Sequence, residues 1–142
     1  MKIGFFGSGV FSTALATQLC KYHDIEMYDK FKFFNPNLNA KYTLEVKQFF
    51  QSKFDIIFIG ITSQILDEII DTIPAYDAHF VICTKGVSSK KEIFFTEILK
   101  NQLKHDKICA LSGPNFATEI IQNIPTITTV ASHSNTWIGR QR

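Results

Sequence analysis

Cysteine and histidine are too few and too scattered in this chain to suggest a metal centre. The three cysteines, Cys20, Cys83 and Cys109, leave one over from any pairing and show no Cys-x-x-Cys spacing, which speaks against a disulfide framework. Cys83 and Cys109 lie inside apolar runs and read as small buried hydrophobes. His23, His79, His105 and His133 are isolated, with no ligand spacing between them. Long hydrophobic runs are missing as well: none approaches the ~20 residues that a membrane-spanning helix needs. The N-terminus passes through Lys2-Ile3-Gly4-Phe5-Phe6 directly into glycine. It lacks the extended apolar segment and small-residue cleavage site of a signal peptide, so the expected compartment is the cytoplasm. A surplus of one charge is also absent. A net charge of +2, with lysines placed singly or in pairs such as Lys90-Lys91, excludes the basic footprint of a nucleic-acid binder.

What the chain does have is apolar material in a regular order. Hydrophobic residues make up 45% of its 142 positions, enough for one globular domain with its own core. No internal repeat, low-complexity tract or linker divides it. Strands are predicted over residues 2–6, 25–29, 54–61, 80–84, 108–111 and 126–131, and the third of these has no polar alternation. Helices are predicted over residues 11–22, with Leu15 and Leu19 on one face, and over residues 63–73, through Ile65, Leu66, Ile69, Ile70 and Ile73. A further helix is predicted over residues 92–103, through Phe94, Phe95, Ile98 and Leu99, and a short one after Asn115. Residues 31–42 carry no period and contain Asn35-Pro36-Asn37, which reads as loop. Strands apolar on both faces and separated by helices imply a doubly wound α/β domain with a mostly parallel sheet.

The first strand runs into Gly7-Ser8-Gly9-Val10-Phe11-Ser12. Gly7 permits a tight turn, and Gly9 lets the backbone approach a pyrophosphate with no Cβ in the way. The helix behind them offers free N–H groups and the positive end of its dipole, as in the dinucleotide site of a Rossmann-type fold. At position 12 that fingerprint has Gly or Ala; Ser12 is small enough to be tolerated, and its hydroxyl is available to phosphate. An acid stands twenty positions beyond Gly9: Asp29, at the end of the second strand, where a carboxylate takes ribose hydroxyls. An ordinary strand-ending acid is the alternative reading of Asp29. Lys30 beside it suits a 2′-phosphate, so NAD and NADP are both expected cofactors.

Further motifs extend the pattern. Thr13-Ala14-Leu15-Ala16 opens the first helix; Thr62-Ser63-Gln64 follows the third predicted strand; Thr84-Lys85-Gly86 and Ser112-Gly113-Pro114-Asn115-Phe116-Ala117 come later, with Glu119 and then Ile124-Pro125-Thr126. In this order and spacing the chain resembles the N-terminal part of NAD(P)-dependent glycerol-3-phosphate dehydrogenase. Val10, Phe11 and Ser12 stand where that family has Ser, Trp and Gly. The resemblance implies that the backbone of residues 7–12 holds the dinucleotide phosphates. It also implies that Lys85 lies where cofactor and substrate meet, that Gly113 and Asn115 contact the phosphopolyol, and that Ala117 lies against the nicotinamide side. A solvated lysine is the plainer reading of Lys85, and a helix N-cap that of Asn115, with Glu119 a turn further on.

The implied substrates are dihydroxyacetone phosphate and glycerol 3-phosphate. The family's proton-transfer lysine and much of its substrate pocket belong to a helical second domain, with no counterpart before Arg142. Residues 1–142 are therefore expected to be the dinucleotide-binding domain, inactive alone and completed by a separate C-terminal half. Two other readings stay open: a non-catalytic nucleotide-binding remnant, and part of a related hydroxy-acid dehydrogenase. Ser112-Gly113-Pro114 favours the phosphopolyol over the second of these.

Overall fold

The computed structural model of the chain describes residues 1–31 and 35–134. The apolar run behind Met1 forms strand β1 (Lys2–Phe6), which turns into helix α1 (Val10–Leu19). Then come β2 (Asp24–Tyr28), β3 (Lys41–Thr43), a single helical turn α2 (Val46–Phe49), β4 (Ile56–Ile59) and α3 (Ser63–Ile69). A 3-10 turn (Ile70–Thr72) continues α3 and leads to β5 (His79–Ile82) and α4 (Phe95–Leu103). The described chain closes with β6 (Ile108–Ser112), α5 (Ala117–Ile121) and β7 (Thr129–Ser132). The strands form one sheet in the order β3-β2-β1-β4-β5-β6-β7. Every neighbouring pair is parallel except β6 and β7. The chain runs outward from β1 to β3 and then returns to start again at β4, so strand order reverses between β1 and β4. This is the doubly wound Rossmann-type arrangement that the sequence implied.

The pleat of β1 divides the core in two. Ile3 and Phe5 face a cluster of Ala16, Ile25, Met27 and Leu38, with Leu15 and Leu19 of α1 packed against it. Phe6 faces the other way, into the larger cluster that includes Tyr28, Phe49, Ile57, Leu66, Phe80 and Leu99. There the Phe6 and Tyr28 rings stack at 4.6 Å between centroids. Gly4 shares that second face, where a Cβ would come 2.7 Å from Phe49 Cζ, so the strand is bare there to seat the ring. Burial of each such aromatic side chain contributes roughly 1.5–3 kcal/mol.

Several boundaries differ from the sequence reading for local reasons. The stretch read as loop over residues 31–42 runs at its end into β3, which pairs with β2 from Lys41 onward; residues 32–34 lie outside the described residues. Neither β3 nor α2, at three and four residues, is long enough to show a period. The strand read over residues 54–61 is ordered as strand only across Ile56–Ile59. The helix read from residue 92 begins at Phe95, because Glu92 has φ +55° and closes a tight loop in which Ser88 N donates to Ile93 O. Asn115 does not cap α5. Phe116 holds the N-cap position, and its N–H donates to Glu119 Oε2 at 3.4 Å.

One buried charge was not visible in the sequence. Glu26, in the middle of β2, has a side chain with no exposed surface. Its carboxylate pairs with Lys2 Nζ at 3.0 Å and Lys41 Nζ at 3.2 Å, and accepts from Ser52 Oγ at 2.7 Å. Burial alone pushes this carboxyl up, but the hydrogen bonds from Ser52, Lys2 and Lys41 outweigh it and hold it below the ordinary value. A group that titrates lower when folded contributes fully above its unfolded pKa, and its contribution is lost as pH falls through the folded pKa. Glu26→Gln should therefore lose on the order of 1–3 kcal/mol near pH 7. Urea denaturation from neutral pH down to about pH 3 should then show a smaller loss of stability on acidification in the variant than in the unaltered chain.

Candidate dinucleotide site

The turn from β1 into α1 is built by two glycines with different physical reasons. Gly7 has φ +112°, and a Cβ there would lie 2.4 Å from Ile61 Cγ2 and 2.9 Å from Gly60 O. Both backbone and packing require glycine at this position. Gly9, at the N-cap of α1, has φ −61° and ψ 170°, and a Cβ there would meet only Gly60 O, at 3.7 Å. The fold itself therefore does not need glycine at 9; what glycine leaves there is an open approach to the backbone. No side chain caps α1, and no acid stands in its first turn. Its first helical bond runs from Thr13 N to Gly9 O at 2.9 Å. The N–H groups of Val10, Phe11 and Ser12, at the positive end of the helix dipole, thus have no acceptor among the described residues.

Val10, the first of these donors, borders a cavity of about 430 Å³ beyond the C-terminal ends of β1, β2 and β4, where strand order reverses. Gly7, Ser8, Gly9, Val10, Asp29 and Lys30, all named from the sequence, line it. Phe11 and Ser12 do not. The rest of its wall is mostly apolar, from Gly60, Ile61, Ile65 and Ile69, with Thr62 and Glu68 among them. The sequence reading missed that wall, although the glycine near the end of an otherwise apolar strand was its available signal.

Ser12 is the clearest departure from expectation. Its side chain is buried, and the hydroxyl expected to be available to phosphate points at the sheet, reaching Gly60 O at 3.4 Å. A Cβ on Gly60 would come 2.1 Å from Ser12 Oγ. The close helix–strand approach is thus kept, with its glycine on the strand side of the contact. The hydroxyl is thereby turned toward the strand.

Comparison with known proteins agrees with this geometry. Residues 2–138 match the family model described as NAD-dependent glycerol-3-phosphate dehydrogenase N-terminus. The chain is 30% identical to glycerol-3-phosphate dehydrogenase [NAD(P)+] of Leptospira biflexa, over 99% of this chain and 49% of that protein. It is 26% identical to the enzyme of the same name from Nitratiruptor, over 93% of this chain and 42% of that one. A crystal structure of glycerol-3-phosphate dehydrogenase from Coxiella burnetii shares the fold, with a TM-score of 0.76 at 19% identity, covering 96% of this chain and 48% of the other. The chain belongs to the NAD-dependent glycerol-3-phosphate dehydrogenase family. It corresponds to the family's N-terminal part and spans about half the length of the curated relatives it matches.

The residues to which the dehydrogenase resemblance gives a substrate-side role lie outside the cavity, along the same end of the sheet. Lys85 follows β5, is exposed, and its ammonium makes no hydrogen bond or ion pair among the described residues. The neighbouring Thr84 Oγ1 donates to Ile61 O at 2.8 Å, tying this loop to the end of β4. Gly113 follows β6 with φ +145°, and a Cβ there would lie 2.8 Å from Ile127 O, so the incoming β7 segment by itself demands glycine. Asn115 Nδ2 donates to Thr128 Oγ1 at 2.6 Å. Ala117 is the first residue of α5. Burial pushes the Cys83 and Cys109 thiols up to about 12, which leaves them protonated and unreactive at neutral pH. Among the described residues no three His, Cys, Asp or Glu side chains are grouped so as to hold a metal ion.

The Ser12–Gly60 contact makes a two-residue test of this architecture. Gly60→Ala should cost about 1–3 kcal/mol by overpacking. In a Ser12→Ala background the new methyl meets only a Cβ at 3.5 Å, and the cost should largely disappear. Denaturant titration of the two single variants and the double variant measures this. An equal cost in both backgrounds would remove the contact as the cause.

Proposed function

We propose that this chain is the dinucleotide-binding part of an NAD(P)-dependent sn-glycerol-3-phosphate dehydrogenase, which interconverts dihydroxyacetone phosphate and glycerol 3-phosphate. The observation that carries this reading is Gly9: a position where the fold tolerates a side chain but the sequence leaves backbone open, beneath an uncapped helix N-terminus. A pyrophosphate is the group that such a cradle fits, held by the N–H groups of residues 9–12. Asp29 and Lys30 stand at the ribose end of the cavity, and Ile61, Ile65 and Ile69 offer an apolar wall for adenine. Bound there, the nicotinamide nucleotide supplies or accepts the hydride.

The chain's own residues bind and orient. Lys85 presents its ammonium to substrate oxygens, while Gly113 and Asn115 face the phosphopolyol and Ala117 the nicotinamide side. Proton transfer belongs to a lysine that the family places in a helical second part, so residues 1–142 act as a single domain that needs a C-terminal half for turnover. The reaction supplies the glycerol 3-phosphate used in phospholipid synthesis, which suits a cytoplasmic setting. No helix among the described residues is long and apolar enough to cross a membrane.

Two experiments separate binding from chemistry. Calorimetric titration should show NADH or NADPH binding to the unaltered chain. Gly9→Ala should weaken that binding by about tenfold or more while changing stability by less than about 1 kcal/mol. No binding heat at millimolar cofactor from a folded sample would remove the reading, and so would unaltered affinity in Gly9→Ala. In an NADH oxidation assay with dihydroxyacetone phosphate, residues 1–142 alone should turn over negligibly, because proton transfer contributes about 10²–10⁴-fold. Added C-terminal half from a relative should raise the rate. Robust turnover by the chain alone would instead assign the base to a lysine within it, Lys85 first.

A further inference from the structure

We infer that Asp29 serves the cofactor site by holding the glycine turn in shape, and that it is not the residue that chooses between NAD and NADP. The inference rests on the dinucleotide-binding reading above and says how one part of that site is built. An acid at the end of the second strand normally takes the adenosine ribose hydroxyls and repels a 2′-phosphate. Here the carboxylate is already occupied by its own chain. Ser8 Oγ donates to Asp29 Oδ2 at 2.6 Å and Ser8 N to the same oxygen at 3.1 Å, while Phe31 N donates to Oδ1 at 2.7 Å. A carboxylate offers about four lone-pair sites, and three are filled before any ligand arrives. A ribose diol needs two.

The groups on the other side of this contact explain what it does. Ser8 is the residue between the two glycines, 7% exposed, and both its backbone and its hydroxyl are held. Its N–H and hydroxyl go to Asp29, and its carbonyl accepts from Thr13 Oγ1 at 3.1 Å. Asp29 is in turn anchored to the sheet by its own N–H, which donates to Thr43 O at 3.2 Å. A chain of bonds therefore runs from β3 through Asp29 and Ser8 to the first turn of α1. Glycines on both sides of Ser8 give that turn more freedom than any other residues would. The charge-assisted bond from Ser8 Oγ to Asp29 at 2.6 Å restrains it directly. Losing the carboxylate loosens the cradle for the pyrophosphate, which NAD and NADP share, and not a feature that tells them apart.

The test is titration of NADH and NADPH separately into the unaltered chain, Asp29→Asn and Ser8→Ala. Amide hydrogen exchange at Ser8 and Gly9 is followed in the cofactor-free proteins. Asp29→Asn should weaken both cofactors by the same factor, about tenfold for one lost charge-assisted bond, and should speed exchange at Ser8. Ser8→Ala leaves the carboxylate in place and removes its short bond. It should weaken both cofactors equally too, and it decides the matter if Asp29→Asn does not fold. A shift of about tenfold toward NADPH in Asp29→Asn would make Asp29 the selector and overturn the inference. Unchanged Ser8 exchange with unchanged affinities would overturn it as well. If the unaltered chain binds neither cofactor, the functional reading fails and takes the inference with it. That outcome is distinct from one in which the chain binds and the cofactor ratio moves.

Discussion

The approach of α1 to the sheet is the constraint on which the site depends. A helix whose N-terminus is to face a cavity at the end of a strand must leave that strand through a turn too tight for ordinary residues. Gly7 makes the turn at φ +112° with Ile61 and Gly60 pressed against it. Ser12, one turn into the helix, then rests on Gly60. Gly7 and Gly60 end neighbouring parallel strands, so the helix start, the β1 turn and the β4 end form one packed unit. The cavity opens beside that unit.

The rest of the domain keeps the sheet ends in register for this unit. Two apolar clusters clamp β1 from opposite faces, so its turn cannot shift without disturbing both. Glu26 fastens the other end of the sheet by joining Lys2, Lys41 and Ser52 around β2. On the far side of the cavity, Asp67 of α3 accepts from Ser89 N and Ser89 Oγ, both at 2.7 Å, fixing the loop that follows Lys85 and Gly86. Hydrogen bonds from Ser88 and Ser89 hold that carboxyl below its ordinary range. Packing is lighter at the β7 edge. There α5 buries none of its residues, and Phe116, Ile121, Ile124, Ile127 and Val130 are exposed beside Gly113 and Asn115.

How far the sequence could be read depended on how local each feature is. The apolar runs of β1, β4 and β6 and the helical spacing of α3 and α4 show themselves within a few residues, and all were legible. So was the Gly7-x-Gly9 turn, because strand, glycines and helix are contiguous. β3 was not, since three residues carry no alternation and its place depends on pairing with β2. The start of α4 was misjudged because the left-handed Glu92 closes a loop that apolar spacing does not report. Asn115 read as a cap for α5, yet it bonds to Thr128, a partner that only the return of the chain toward β7 supplies.

The sequence by itself determined that the chain is a doubly wound α/β domain, that a glycine turn opens its first helix, and which family its motifs belong to. These are properties of neighbours in the chain, and hydrophobic period and glycine spacing record them directly. Only the tertiary structure decided what the polar residues of the site do. Ser12 points its hydroxyl at the sheet because Gly60, 48 residues on, leaves room for it. Asp29 spent its carboxylate on Ser8 because parallel pairing of β1 and β2 sets the two strand ends side by side. A hydrogen bond acts over about 3 Å of space whatever the separation along the chain, so its partner is known only once the sheet has formed.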